Sequence, residues 1–274
     1  MPVGCSRWVQ MMLVPCMLLI AACAGTPDRG ATGRYGFDSA SAGCRQNPGL
    51  CARMAGEEAV LPGVQAAEVV ASSVRTGIAV LRVLEEATRA VVEKELTACA
   101  DLARSKVLVD LFGGRSPTLA ECNELVDDAS SRRQITRAMQ LGCLMHEVAL
   151  ACTRKALDER LPGRFSLEQR YRYDRPSGTL ELVSRDEARS LLRAGCGEEL
   201  KGTLVPDVVI HSGDPLEAQA VYDFKFPCVN SDKLPRSRQY PPGHPHEGLT
   251  QEEIYEKALN TVVRRIVPRV GVIP

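Results

Sequence analysis

Pro206-Asp207-Val208-Val209-Ile210-His211 and Ala220-Val221-Tyr222-Asp223-Phe224-Lys225-Phe226, whose acid Asp223 lies sixteen residues beyond Asp207, decide how this chain reads. Both runs are rich in β-branched and aromatic side chains, as strands are, and Ser212-Gly213-Asp214-Pro215 between them is turn chemistry. The pair is therefore expected to form a hairpin. Residues two apart on a strand face the same way, so Asp223 and Lys225 project together while Phe224 packs into the core behind them. The hairpin brings Asp207 beside them. Two converging carboxylates suit Mg²⁺, which takes oxygen ligands. An adjacent ammonium orients a water or steadies charge on a phosphate. Metal, water and charge neutralisation are what phosphodiester hydrolysis requires.

Outward from this core, the pattern predicts a helix from Thr136 to Glu159, stopped by Leu161-Pro162-Gly163. Phe165 to Tyr173 (FSLEQRYRY) alternates like one strand, Asp174 to Gly178 is a turn, and Ser184 opens a further helix. Asn230 to Gly248 is a Pro-rich loop. Its His244 and His246 are expected to be solvated, and its Lys233, Arg236 and Arg238, with Arg164, Arg170 and Arg172 of the first strand, are available for phosphate contacts. Thr250 caps a last helix to Asn260, with Glu253 completing a capping box, and a final strand falls within Val262 to Ile273.

Pro206-Asp207 followed by Asp223-Phe224-Lys225 resembles the motif of PD-(D/E)xK nucleases. Gln251 and Tyr255, four apart on one helix face, resemble the QxxxY motif of the RecB-like and Cas4-like members. Gly142-Cys143-Leu144-Met145-His146-Glu147 is similar to their G-xxx-H-E stretch. The resemblance covers about half the chain and implies an α/β (α+β) fold. Its restriction-endonuclease-like core has a mixed central sheet flanked by helices and is preceded by a mostly α-helical region. It implies Asp207, Asp223, Lys225 and Glu147 as catalytic residues. Asp207, Asp223 and Glu147 or His146 are the implied ligands of Mg²⁺ (or Mn²⁺), and Gln251 and Tyr255 brace the lysine or touch DNA. Adjacent helix residues point about 100° apart, so one of His146 and Glu147 faces the metal, and both remain candidates.

The N-terminus carries a different signal. Arg7 precedes an apolar run from Trp8 to Ala22, shorter than the roughly 20 residues of a spanning helix. It ends Leu18-Leu19-Ile20-Ala21-Ala22-Cys23, which resembles a bacterial lipobox with Cys23 as the lipidated residue (palmitate and diacylglycerol). The organisation expected is a signal peptide over 1–22, a lipidated tether over 23–56, a helical region over 57–135 and a nuclease-like domain over 136–274. Within the helical region, 57–112 reads as a helical hairpin or small bundle, and Ser116-Pro117-Thr118 opens another helix with the proline near its first position. The tether is too rich in Gly, Ala, Ser, Arg and Asp to bury a core.

Composition sets the outer limits. The 274 residues are 45% hydrophobic, 25% charged and 4% aromatic, with a formal net charge of +0. A wholly disordered chain, a collagen and a multi-span membrane protein are excluded. Of 11 cysteines, those at 44, 51, 99, 122, 143, 152, 196 and 228 lie beyond the lipobox, and an even number in an exported chain permits disulfides. None has CxxC spacing, and a Cys196–Cys228 pair close to the site would make it redox-sensitive. A lipobox joined to a C-terminal nuclease-like region resembles polymorphic toxins and the myxobacterial swarm-inhibition lipoprotein toxins. That architecture implies an outer-membrane lipoprotein transferred to target cells, DNA (or RNA) as substrate, and a cognate immunity protein. The other reading is a non-catalytic outer-membrane lipoprotein that uses the fold as a binding or structural module.

Overall fold

A computed structural model describes residues 74–75, 84–127, 134–229 and 237–274. The signal peptide, Cys23 and the tether lie outside them, as do Lys233 and Arg236. The architecture is mixed α/β. A five-stranded sheet in the order β10-β9-β8-β7-β4 forms its centre: β4 (Phe165–Leu167), β7 (Val208–His211), β8 (Ala218–Phe224), β9 (Val263–Val267) and β10 (Gly271–Ile273). Pairing is antiparallel except between β8 and β9, which run parallel. That parallel step needs a crossover, and it contains the helix α5 (Gln251–Leu259). Thr250 caps α5 in a full capping box with Glu253.

One face of the sheet is covered by two long helices, α1 (Glu86–Phe112) and α3 (Arg137–Arg160). Leu96, Ala103 and Val107 of α1 and Met145, Ala149 and Leu157 of α3 share a core cluster with Val208, Ile210, Tyr222 and Phe224 of the hairpin. The other face is covered by α5 and a second sheet of β1 (Val74–Arg75), β6 (Thr179–Val183) and β5 (Arg170–Asp174). There Val209 and Val221 meet Tyr171, Leu182, Ile254 and Tyr255. Alternate strand residues thus feed opposite cores, as the pleat dictates. A short helix α2 (Leu119–Asn123) and the pair β2 (Leu125–Asp127) and β3 (Gln134–Thr136) lead into α3, and α4 (Arg185–Arg193) follows β6.

Several sequence expectations change here. The run from Phe165 to Tyr173 is two strands in two different sheets. Glu168 breaks it with φ 53°, and the chain crosses from one sheet to the other. The helix after Ser116 is capped by Thr118, with Glu121 completing the box, so Pro117 lies outside it. The segment after Val262 is a two-strand hairpin. No break between cores falls at 135: α1 belongs to the same core as β7, β8 and α3. Its Glu93 accepts from the Tyr222 hydroxyl and its Glu95 pairs with Arg160.

Among the described residues, two disulfides cross this junction. Cys99–Cys152 joins α1 to α3, and Cys122–Cys228 joins α2 to the segment after β8. Cys228 is therefore not paired with Cys196, which is disulfide-bonded elsewhere. No described helix is long and apolar enough to cross a membrane.

Candidate active site

The β7–β8 register pairs Val208 with Tyr222, and its extension by one residue sets Asp207 opposite Asp223. Asp207 Oδ2 accepts from the Phe224 backbone N–H at 2.8 Å, which pins its carboxylate to β8. Asp223 and Lys225 lie on one side of the strand, with Lys225 Nζ 2.6 Å from Asp223 Oδ2. Phe224, between them, is fully buried on the opposite face. The exposures are 2% for Asp207, 5% for Asp223 and 8% for Lys225. Charges so deeply buried are tolerated only when paired and hydrogen-bonded.

The rest of the set comes from two helices. On α5, the Gln251 Oε1 accepts from Lys225 Nζ at 2.7 Å, while its Nε2 donates to the Tyr255 hydroxyl at 2.9 Å. The four-residue spacing makes that relay. Tyr255 is itself buried in the second core, so the amide orientation is fixed and the ammonium is held by a rigid element. On α3, His146 Nδ1 lies 3.4 Å from Asp207 Oδ2, and its ring meets Phe226 edge-on at 4.9 Å between centroids. Both ring nitrogens of His146 are buried and make no hydrogen bond to a described residue. Glu147 is exposed on α3. The helical rotation between neighbours thus sends His146 to the carboxylates and Glu147 to solvent, and the ligand expectation for Glu147 is corrected.

Parallel pairing adds a residue that the sequence did not single out. Arg265 of β9 stands beside Asp223 in register, and its Nε is 3.7 Å from a carboxylate oxygen of Glu252 on α5. Nothing in the run VRRIV distinguishes Arg265 from Arg264, because only the β8–β9 register puts one of them next to the acid.

Two of the basic candidates and both loop histidines are engaged within the fold. Arg170 donates to Thr203 Oγ1 at 2.6 Å, and Arg172 pairs with Glu181 and Glu187, so neither is a ready phosphate contact. Arg164 is exposed. His244 and His246 are buried, against expectation. The His244 ring stacks on Tyr240 at 4.2 Å, and His246 Nε2 donates to the Gly202 carbonyl at 2.8 Å. At the far end of β7, His211 Nε2 lies 3.0 Å from Ser166 Oγ. This is not a nucleophilic dyad. His211 Nδ1 accepts from the Gly213 N–H, which leaves Nε2 as the protonated nitrogen and unable to take the serine proton.

A divalent ion fits the donors present. Asp207 and Asp223 would supply hard oxygen ligands, and a nitrogen of His146 beside Asp207 would supply a borderline one. Among the described residues no three of His, Cys, Asp and Glu form a ready ion cage. Mg²⁺ does not require one, because it usually keeps several waters and takes one or two carboxylates plus substrate phosphates. Comparison with known proteins finds no match: no family model, no curated protein and no solved structure is similar to this chain.

Proposed function

We propose that the chain is an exported, lipid-anchored toxin whose C-terminal half is a metal-dependent nuclease with a restriction-endonuclease-like core. The observation that carries this reading is the convergence of Asp207, Asp223 and Lys225 at one end of the β7–β8 hairpin, with Lys225 bridged by Gln251 to Tyr255. Asp207, Asp223 and His146 would hold the ion. When bound, a divalent ion supplies Lewis acidity toward the phosphodiester and lowers the pKa of a water. Lys225 contributes positive charge where the phosphate oxygens gain negative charge. Gln251 and Tyr255 keep the ammonium aimed during that change, so little reorganisation is needed. Asp223 pairs directly with Lys225. The lipobox-like run ending at Cys23 supports outer-membrane anchoring, and a nuclease there would act on the DNA of another cell, with an immunity protein protecting kin.

The test is plasmid cleavage by the purified full chain with Mg²⁺, with Mn²⁺ and with EDTA, beside Lys225→Ala. The expected result is cutting that needs metal and is lost in the variant. The full chain is required because α1 completes the core and both disulfides cross from the helical region into the rest. One observation favours a second reading, a binding or structural module: the acids and the lysine are all under one-tenth exposed and engage one another. A folded chain that cuts neither DNA nor RNA with either metal would establish that reading instead.

A further inference from the structure

A second polar cluster lies outside the carboxylate site. It surrounds a cavity of about 370 Å³, within the range of small-ligand sites. Three stretches of chain build its walls. Helix α1 provides Asp101, Arg104, Ser105 and Leu108, the segment after it provides Ser116, and the β9–β10 turn provides Arg269.

Arg104 is 5% exposed, which is rare for an arginine. Its Nη1 donates to the Pro227 carbonyl at 2.9 Å and its Nη2 to Ser116 Oγ at 3.5 Å. Burial, and then the neighbouring Arg269 charge, push its pKa down. Both arginines line this one cavity.

Arg269 has φ 67°, in the left-handed region that non-glycine residues seldom occupy. Asp101 holds this turn: its Oδ1 accepts from the Arg269 backbone N–H at 2.6 Å, so that carboxylate oxygen is engaged by the backbone. The Arg269 guanidinium itself bonds to no described residue. Crowded like charges and a disfavoured backbone are two costs at one place, and costs of this kind collect at ligand sites. A bound anion offsets the first and gives the second a purpose.

We infer that this cavity is an anion site that takes a phosphate group, with Arg269 and Arg104 as guanidinium donors and Ser105 and Ser116 as hydroxyl donors. The donors approach from three walls, which suits a tetrahedral anion better than a planar carboxylate. Asp101 leaves the lining with one net positive charge, which suits a singly charged phosphate. That chemistry has two sources, free phosphate or the backbone of a nucleic acid. The inference stands whether or not the chain cuts nucleic acid.

The experiment uses the full chain in EDTA at low salt. Inorganic phosphate is titrated and followed by its phosphorus resonance, and a labelled DNA duplex is followed by anisotropy. Arg269→Asn removes the charge while tolerating the left-handed backbone. Arg269→Gly repeats the test with the residue that best suits that φ, and circular dichroism confirms that both variants fold. The expected result is binding weakened about tenfold or more in both variants, since charge-assisted guanidinium–phosphate bonds are the strong ones. Weakening of duplex binding alone assigns the site to backbone phosphate, and weakening of inorganic phosphate alone assigns it to a small ligand. Equal binding by wild type and variants, or no binding of either probe, overturns the inference. The readout is metal-free, so loss of cleavage in Lys225→Ala bears on the nuclease reading and not on this one.

Discussion

The two ends of the β7–β8 hairpin each hold a buried histidine, and they treat it in opposite ways. At the turn end, His211 accepts from the Gly213 N–H and sits 3.0 Å from the Ser166 hydroxyl, so both of its nitrogens have partners. At the other end, neither His146 nitrogen hydrogen-bonds to a described residue, although Asp207 is 3.4 Å away. The turn end is a polar network closed on itself and serves the fold. The open end leaves donors uncommitted beside two acids and a lysine, and a buried polar group without a partner costs stability that packing alone does not explain. Burial by itself therefore marks neither end as functional; the unspent bonding capacity marks one.

That contrast can be broken by mutation. The largest effect is expected for Lys225→Ala. Cleavage should fall by about 10²–10⁴, and stability by about 3–5 kcal/mol, because Asp223 becomes a buried charge without its pair. Denaturant unfolding beside the cleavage assay measures both, and an unchanged midpoint would show that the pair is not buried as described.

Next comes the double replacement Cys122→Ser and Cys228→Ser. Closing a loop of 106 residues is worth about 5 kcal/mol on the chain-entropy estimate. Urea unfolding of the oxidised wild type against the variant reads this directly.

The sharpest contrast pairs the two histidines. His211→Leu should cost about 1–3 kcal/mol by stranding its partners while leaving cleavage intact. His146→Leu should leave stability unchanged or slightly raised, yet lower the metal-dependent rate about tenfold or more. A destabilised His146→Leu that cuts normally would erase the distinction between the two ends.

A smaller effect is expected from pH. Burial pushes the pKa of His211 and of His246 down. Both therefore bind protons less readily folded than unfolded. Their contribution is fully present above the unfolded value of about 6.5 and is lost as pH falls through the folded values. Thermal unfolding between pH 8 and pH 5 should show the decline, and His246→Asn should flatten part of it.

How much of this was legible beforehand follows from the range over which each feature is determined. The hairpin, the α3 span and the Thr250 cap were readable because each is written in adjacent residues: β-branched runs, a helical apolar period, a hydroxyl three residues before an acid. The Asp223–Lys225 pair was readable because strand alternation is local. His146 against Glu147 was not, since a single helix rotation decides it and only packing against Phe226 fixes that rotation. Arg265 was invisible because it depends on the parallel β8–β9 register. The break at Glu168 was missed because alternation runs through it unchanged, while the backbone turns. His244 and His246 were misjudged because a Pro-rich stretch looks solvated. Here it folds back so that His246 reaches the Gly202 carbonyl.

The crosslinks have one more consequence, for transport. Cys99–Cys152 and Cys122–Cys228 close covalent rings across sequence separations of 53 and 106 residues, and the two rings overlap. Pulled from either end, the oxidised chain cannot straighten into a single thread. A translocation pore wide enough only for one extended polypeptide will stall on it. Passage between compartments therefore takes the folded body whole, or it waits for a thiol reductant to open both rings first.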